Sequence, residues 1–327
     1  MEKITRAIGR RDDAIKMMNI ALEHEWAVSF EYLIHAYSMP KGKFFYEDPV
    51  MKQRTDIRTQ TIQIGIDEMY HALQLGIVIT QMGGDPSFRT DDVIRYPRII
   101  DNLKRDKMTE DLVTDLYQTS PIKEGVFPKI RNMALNISYD EVRHSWQFQA
   151  MIEAMESAGC AEALLLQANP EIDGREDVRL LHDIMRLENE LMHRYLRYTI
   201  LFSGHQDLSQ RFFKNSIDHM RHWDKNAGAL INRGTVMRIE NAGKGDNGEE
   251  ISKRPMPVKY PGRDRLSTLK TLVPAEQNLM AKVEQLIAMV PHGKIKEQLK
   301  IQLALKREHV FTQERLLENA RKIKGLE

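Results

Sequence analysis

The chain has 327 residues, of which 42% are hydrophobic and 29% charged, and its 48 lysines and arginines nearly cancel its 47 aspartates and glutamates. That is the balance of a globular protein long enough for two ordinary domains, without the basic field that nucleic acid or an anionic membrane would require. Its single cysteine, Cys160, excludes an intrachain disulfide and any Cys-rich zinc or rubredoxin-type site, and no apolar run approaches the roughly 18 residues that cross a bilayer.

The first stretch, MEKITRAIGRRDD, lacks the apolar core of a signal peptide, so a cytoplasmic location is expected. Apolar residues then recur at spacings of three and four, the mark of amphipathic helices. The pattern predicts helices at 12–38, 52–83, 105–120, 127–157, 175–203, 207–233, 265–290 and 293–323. The breaks at 39–49, 83–88, 119–129, 202–207 and 290–294 each carry the Gly or Pro that ends a helix. Strand-like alternation is essentially absent, and the fold is expected to be all-α. NPEIDG (169–174) reads as a boundary between a domain at 1–165 and another at 174–327. Residues from about 233 to 265, with the polar, Gly-rich centre NAGKGDNGEEISKRP, are expected to be a mobile surface loop.

The two halves also resemble each other. QIGIDEMYHALQLGIVITQMGG aligns without gaps to KNSIDHMRHWDKNAGALINRG, pairing Asp67 with Asp218 and His71 with His222, while Glu25 and Tyr32 match Glu188 and Tyr195. A tandem repeat of a four-helix unit is therefore expected.

In the first half, two helices carry Glu-x-x-His, Glu68–His71 and Glu141–His144, which places both side chains on one face. Two others carry Glu followed seven residues later by Tyr, Glu25–Tyr32 and Glu110–Tyr117, again one face after two turns. These residues fall on core-facing stripes such as Met18, Ala21, Glu25, Val28, Tyr32, where an unpaired carboxylate would cost several kcal/mol. Four carboxylates balance two divalent cations, and a mixed oxygen and nitrogen set with carboxylates in the majority suits iron or manganese.

One Glu from each of two helices and Glu-x-x-His from the other two resembles the ferritin-like di-iron carboxylate proteins. EHEWAVSFEYLIHA and DEMYHALQLGIVITQMGGDPSF look especially like the bacterioferritin and rubrerythrin branch, over about residues 10–158. The resemblance implies a two-metal site with Glu68 and Glu141 bridging, Glu25 and Glu110 terminal, and His71 and His144 each on one metal. It also implies hydrogen bonds from Asp67 and Asp140 to the ligand histidines. Tyr32 and Tyr117 are the candidate catalytic residues, expected to bond the bridging carboxylates.

The second half offers Glu188, His219, His222, Glu276 and His309 as candidate ligands. Its counterpart of Glu68 is His219, which cannot bridge two metals, and matching stripes puts Lys306 opposite Glu141 and His309 opposite His144. One divalent metal at most, or a vestigial site whose polar groups bond one another, is expected there. Glu190–His193 lies off the stripe and reads as a surface pair. His24, His35, His205 and His292 read as solvent-facing or satisfied within the core. Met69 stands where bacterioferritins place a haem-ligating methionine, but methionine usually packs into cores, so haem is not expected.

A di-iron site would use O2 or peroxide, as an oxidase, ferroxidase or peroxidase. With no rubredoxin-like module, such an enzyme needs an external electron donor. An oxygenase acting on a small organic substrate, a storage subunit and a non-catalytic iron-binding protein are the alternatives, and assembly into a homo-oligomer is left open.

Overall fold

A computed structural model describes residues 8–90, 92–119, 127–239, 242–246, 248–252 and 265–324. Residues 120–126 of the break at 119–129, and 240–241, 247 and 253–264 of the long loop, lie outside the described residues. The elements in order are α1 (Arg11–Tyr37), β1 (Phe45–Glu47), β2 (Arg54–Asp56), α2 (Ile57–Gln81), β3 (Val93–Arg95), α3 (Ile99–Gln118), α4 (Pro128–Ser157), α5 (Pro170–Asp173), α6 (Glu176–Leu201), α7 (Gln206–Ile231), β4 (Ala242–Lys244), β5 (Glu250–Ser252), α8 (Arg265–Met289) and α9 (Lys294–Lys324). The fold is all-α, with five three-residue strands as accessories among the described residues.

The chain divides into two units. One comprises Met1–Leu166 with Ile239–Met256, the other Gln167–Arg238 with Pro257–Glu327. In the first, α1 packs on α2 and α3 on α4, and the pairs meet through α1 with α3 and α2 with α4. In the second, α6 pairs with α7 and α8 with α9, and the pairs meet through α6 with α8 and α7 with α9.

Two helix starts differ from the sequence expectation for identifiable reasons. Residues 54–56 pair with β1, and α2 begins only after Asp56, whose carboxylate caps the helix by accepting from Thr59 N at 3.1 Å. Helix α3 starts at Ile99 rather than 105. The Asn102 side chain ties down the entry by accepting from Tyr96 N at 2.8 Å and donating to Arg98 O at 2.8 Å, while Ile99, Ile100 and Leu103 are buried beneath it. Pro274 lies inside α8 rather than at an end, so α8 lacks one backbone donor there.

The stretch expected to be a mobile loop is partly a sheet, which is a correction. Strand β5 pairs antiparallel with both β3 and β4, Val93 opposite Ser252 and Ala242 opposite Ser252. Buried Arg95 holds this sheet, donating to Ser38 Oγ at 2.7 Å and to Glu250 Oε2 at 2.8 Å. Strand β3 in turn docks on α1, where Glu31 accepts from Ile94 N at 2.8 Å. Alternation is not legible in three-residue strands, so composition alone suggested a loop.

The second half of α1 is buried all round, every residue from Glu25 to Tyr37. Its apolar stripe has no solvent face opposite, so polar residues such as Glu25, Glu31 and His35 must find partners inside the protein.

Candidate metal centre

In the first unit the structure brings Glu25, Glu68, His71, Glu110, Glu141 and His144 together, all within 2% of complete burial. They form two overlapping groups of donors, Glu25–Glu68–His71–Glu141 and Glu68–Glu110–Glu141–His144. The shared members are Glu68 and Glu141, and each presents one oxygen to each side. Glu68 Oε2 lies 3.0 Å from His71 Nδ1 and its Oε1 lies 2.8 Å from His144 Nδ1. Glu141 Oε1 is 3.2 Å from His71 Nδ1 and its Oε2 is 3.6 Å from His144 Nδ1. Of the two histidines, Glu25 lies beside His71, at 3.6 Å, and Glu110 beside His144, at 3.7 Å.

Both histidines turn Nδ1 inward and Nε2 outward. The outward nitrogens meet aspartates across the helix pair, His71 with Asp140 and His144 with Asp67, each at 3.3 Å. An Nε2–H held by a carboxylate leaves the Nδ1 lone pair directed at the centre, the usual arrangement of a metal-bound histidine. Arg143 bonds Asp67 at 2.9 Å and Asp140 at 3.0 Å, joining the two outer carboxylates.

The tyrosines differ from expectation in their partners. Tyr32 donates to Glu110 Oε1 at 2.6 Å, and Tyr117 donates to Glu25. They hold the outer carboxylates, not the shared Glu68 and Glu141. The reason is geometric: each tyrosine lies two turns past one glutamate, so it reaches across to the glutamate of the antiparallel neighbour, α1 to α3 and back.

The electrostatics are those of negative charge crowded out of water. Burial, with the charge of Glu110 added, pushes Glu68 up to about 7. Burial also raises Glu141 well above the usual carboxylate range, with Glu68 and Glu110 adding to it. Burial alone would lower His71 and His144, but the carboxylates around them, Glu68 first, hold both well above the ordinary imidazole range. The residues fit a pair of cations. Glu25 Oε2, Glu141 Oε1 and His144 Nδ1 are buried and make no hydrogen bond, although such atoms are costly to leave without a partner. All three face the shared centre.

Beside this group lies a second buried cluster that periodicity did not single out, Glu31–His35–Asp106. His35 Nδ1 is 2.9 Å from Asp106 Oδ1 and its Nε2–H donates to Ile94 O at 2.6 Å. Glu31 accepts from Arg105 Nε at 2.5 Å. Every donor there already has a partner, so the cluster ties α1, β3 and α3 together. His35 is thus satisfied within the core, while His205 and His292 are exposed. The spacing of Glu31 to His35, and of Asp106 to Glu110, is one helical turn, which was the available signal. Met69 is buried in α2.

In the second unit Glu188, His219, His222, Glu276 and His309 also converge, in two groups, Glu188–His219–His222 and His219–Glu276–His309. Lys306 is fully buried among them, its Nζ 2.5 Å from Glu188 Oε1 and 3.0 Å from His222 Nδ1. Glu308, two residues further along α9, is exposed. Burial would raise Glu188, but Lys306 and His222 hold it well below the usual carboxylate range.

His193 is a correction, since it is buried rather than at the surface. Its Nδ1–H donates to Asn189 O at 3.0 Å, and only Glu190 stays on the outside, paired with Arg194 and Arg186. Burial pushes the His193 imidazole down to about 4, from an ordinary 6.5. Below pH 6.5 the unfolded chain therefore takes up a proton that the folded chain refuses, so stability is lost as pH falls from 6.5 toward 4. The difference is about 3 kcal/mol across that window. His193→Leu should flatten the acid arm of a plot of unfolding free energy against pH by about that amount; an unchanged arm would show that His193 does not titrate in this way.

Among the described residues, no helix is long and apolar enough to cross a membrane. Comparison with protein families matches residues 18–158 to the Ferritin-like family. Comparisons with curated proteins and with solved structures returned no match. The matched segment runs from the first third of α1 to the end of α4 and contains all six donors of the first centre. Residues 18–158 are accordingly a domain of the ferritin-like superfamily.

Proposed function

We propose that the first unit holds two iron or manganese ions and that the protein is a non-haem oxidoreductase using O2 or peroxide, of the ferroxidase, oxidase or peroxidase type. The observation that carries the reading is the sharing of Glu68 and Glu141 between two donor groups that each own one further glutamate and one histidine. In this reading Glu68 and Glu141 would be shared by both ions, Glu25 and His71 would complete one ion's set, and Glu110 and His144 the other's. A bound di-iron(II) pair supplies two electrons to O2 or peroxide and shares the charge that develops on the oxygens. The chain's own contribution is positional. Asp140 and Asp67 fix the histidine tautomers, Tyr32 and Tyr117 hold the outer carboxylates, and burial keeps bulk water from the centre.

Electrons for repeated turnover come from an external donor, which a cytoplasmic setting provides. An oxygenase acting on an organic molecule would need an apolar cavity beside the ions. The cavity of ≈ 610 Å³ on the α3 side has a mixed lining that includes Tyr96, Lys104, Arg105 and Met108, none of them a donor of the centre.

Stopped-flow oxygen uptake by protein loaded anaerobically with Fe(II) tests the reading. Uptake proportional to iron bound in the first unit, and absent in Glu68→Ala, is the expected result. Iron held tightly with no reaction toward O2 or peroxide would leave a binding or storage role and overturn the enzymatic one.

A further inference from the structure

Three atoms in the second unit approach one another as ligands do. His219 Nε2 lies 3.0 Å and His309 Nδ1 lies 3.1 Å from Glu276 Oε1, and all three side chains are buried. The opposite nitrogen of each ring is held by a carboxylate. His219 Nδ1 is 2.5 Å from Glu188 Oε2, and His309 Nε2 is 3.4 Å from Asp218 Oδ2. If those outer nitrogens carry the protons, the inner ones are lone pairs aimed at a carboxylate oxygen, an arrangement that needs a positive charge between them. A second observation points the same way: Glu276 Oε2 is buried and makes no hydrogen bond.

The surroundings repeat half of the first centre. Tyr195 donates to Glu276 Oε1 at 2.7 Å as Tyr32 does to Glu110, and Asp218 backs His309 as Asp67 backs His144. The other half is blocked. Glu188 and His222, matching Glu25 and His71, already surround the Lys306 ammonium, which stands in for a cation there. A second divalent ion beside that fixed charge would be repelled.

We infer that the second unit carries a mononuclear site for a divalent first-row transition metal, held by His219 Nε2, Glu276 and His309 Nδ1, with Lys306 as a built-in cation in place of a second ion. Two imidazoles and one carboxylate on one side of an ion leave positions open for water or a small ligand, a donor set typical of non-haem Fe(II). Glu188 is then a positioning residue for His219 and not a ligand, and His222 is not a ligand.

Elemental analysis of the full chain after loading with Fe(II) or Co(II) tests this, with Co(II) absorption in the visible as a second readout. In Glu68→Ala/Glu141→Ala, about one ion per chain should remain; adding His309→Ala should remove it, and adding His222→Ala should leave it. Should the double variant fail to fold, the same comparison runs in the unmodified chain, where His309→Ala alone should lower the count by about one ion. A folded double variant with no ion, or a count that falls with His222→Ala but not with His309→Ala, would overturn the site. The arms are separable from the two-metal reading of the first unit. Loss of all metal on Glu68→Ala keeps that reading and refutes this one, whereas a single ion lost only on His309→Ala does the reverse.

Discussion

Replacing either Glu68 or Glu141 with alanine should empty the first centre completely, a fall of about two ions per chain rather than one. The expectation follows from how the two carboxylates are placed. Each has one oxygen beside His71 and the other beside His144, so neither belongs to one side alone. Removing one leaves each ion with a single private glutamate, one histidine and one bridge, in a pocket sealed from bulk water. Glu25→Ala makes the informative comparison. It removes a donor from the His71 side only, so one ion should weaken far more than the other. Elemental analysis after dialysis distinguishes the two patterns; loss of only one ion in Glu68→Ala would mean that Glu68 does not bridge.

The second large effect is expected at Lys306. Its ammonium and the Glu188 carboxylate are both fully buried and 2.5 Å apart. Lys306→Ala leaves an uncompensated carboxylate in the core of the second unit, and breaking a buried pair in this way typically costs about 3–5 kcal/mol. Lys306→Met/Glu188→Gln removes both charges while keeping volume, so most of the loss should return. Urea unfolding followed by circular dichroism, with the parent, Lys306→Met, Glu188→Gln and the double variant measured together, reads the coupling directly. A Lys306→Ala protein as stable as the parent would show that Glu188 is neutralised by something other than this lysine.

Much of the centre was legible before the structure because helices convert spacing into position. Glu-x-x-His places two donors one turn apart, and two such pairs on separate helices leave few ways to arrange a core around them. The same logic reached Lys306 and His309, whose register followed from the apolar stripe of α9. What it could not reach were contacts fixed between helices. Tyr32 and Tyr117 were placed on the right faces, but their partners depend on which neighbour is antiparallel, and each bonds the glutamate across from it. His193 was misplaced for a related reason. A residue just off one stripe can still be covered when the helix is buried on more than one side, and the end of α6 is buried at nearly every position from Leu191 to Ile200. The sheet of β3, β5 and β4 was illegible because three-residue strands carry almost no periodic signal, and their pairing joins residues some 155 positions apart.

That late strand has a bearing on synthesis and on dissection. The helices of the first unit are complete by Ser157, yet Arg95 and β3 meet their partners only when residues 250–252 have been made. During translation the first helical bundle must therefore wait, with one edge of β3 unpaired, while α5, α6 and α7 emerge. Nor can the gene be cut into two freestanding halves at a single point. A chain ending at Leu166 would carry every donor of the first centre but lack β5, the strand that completes its sheet.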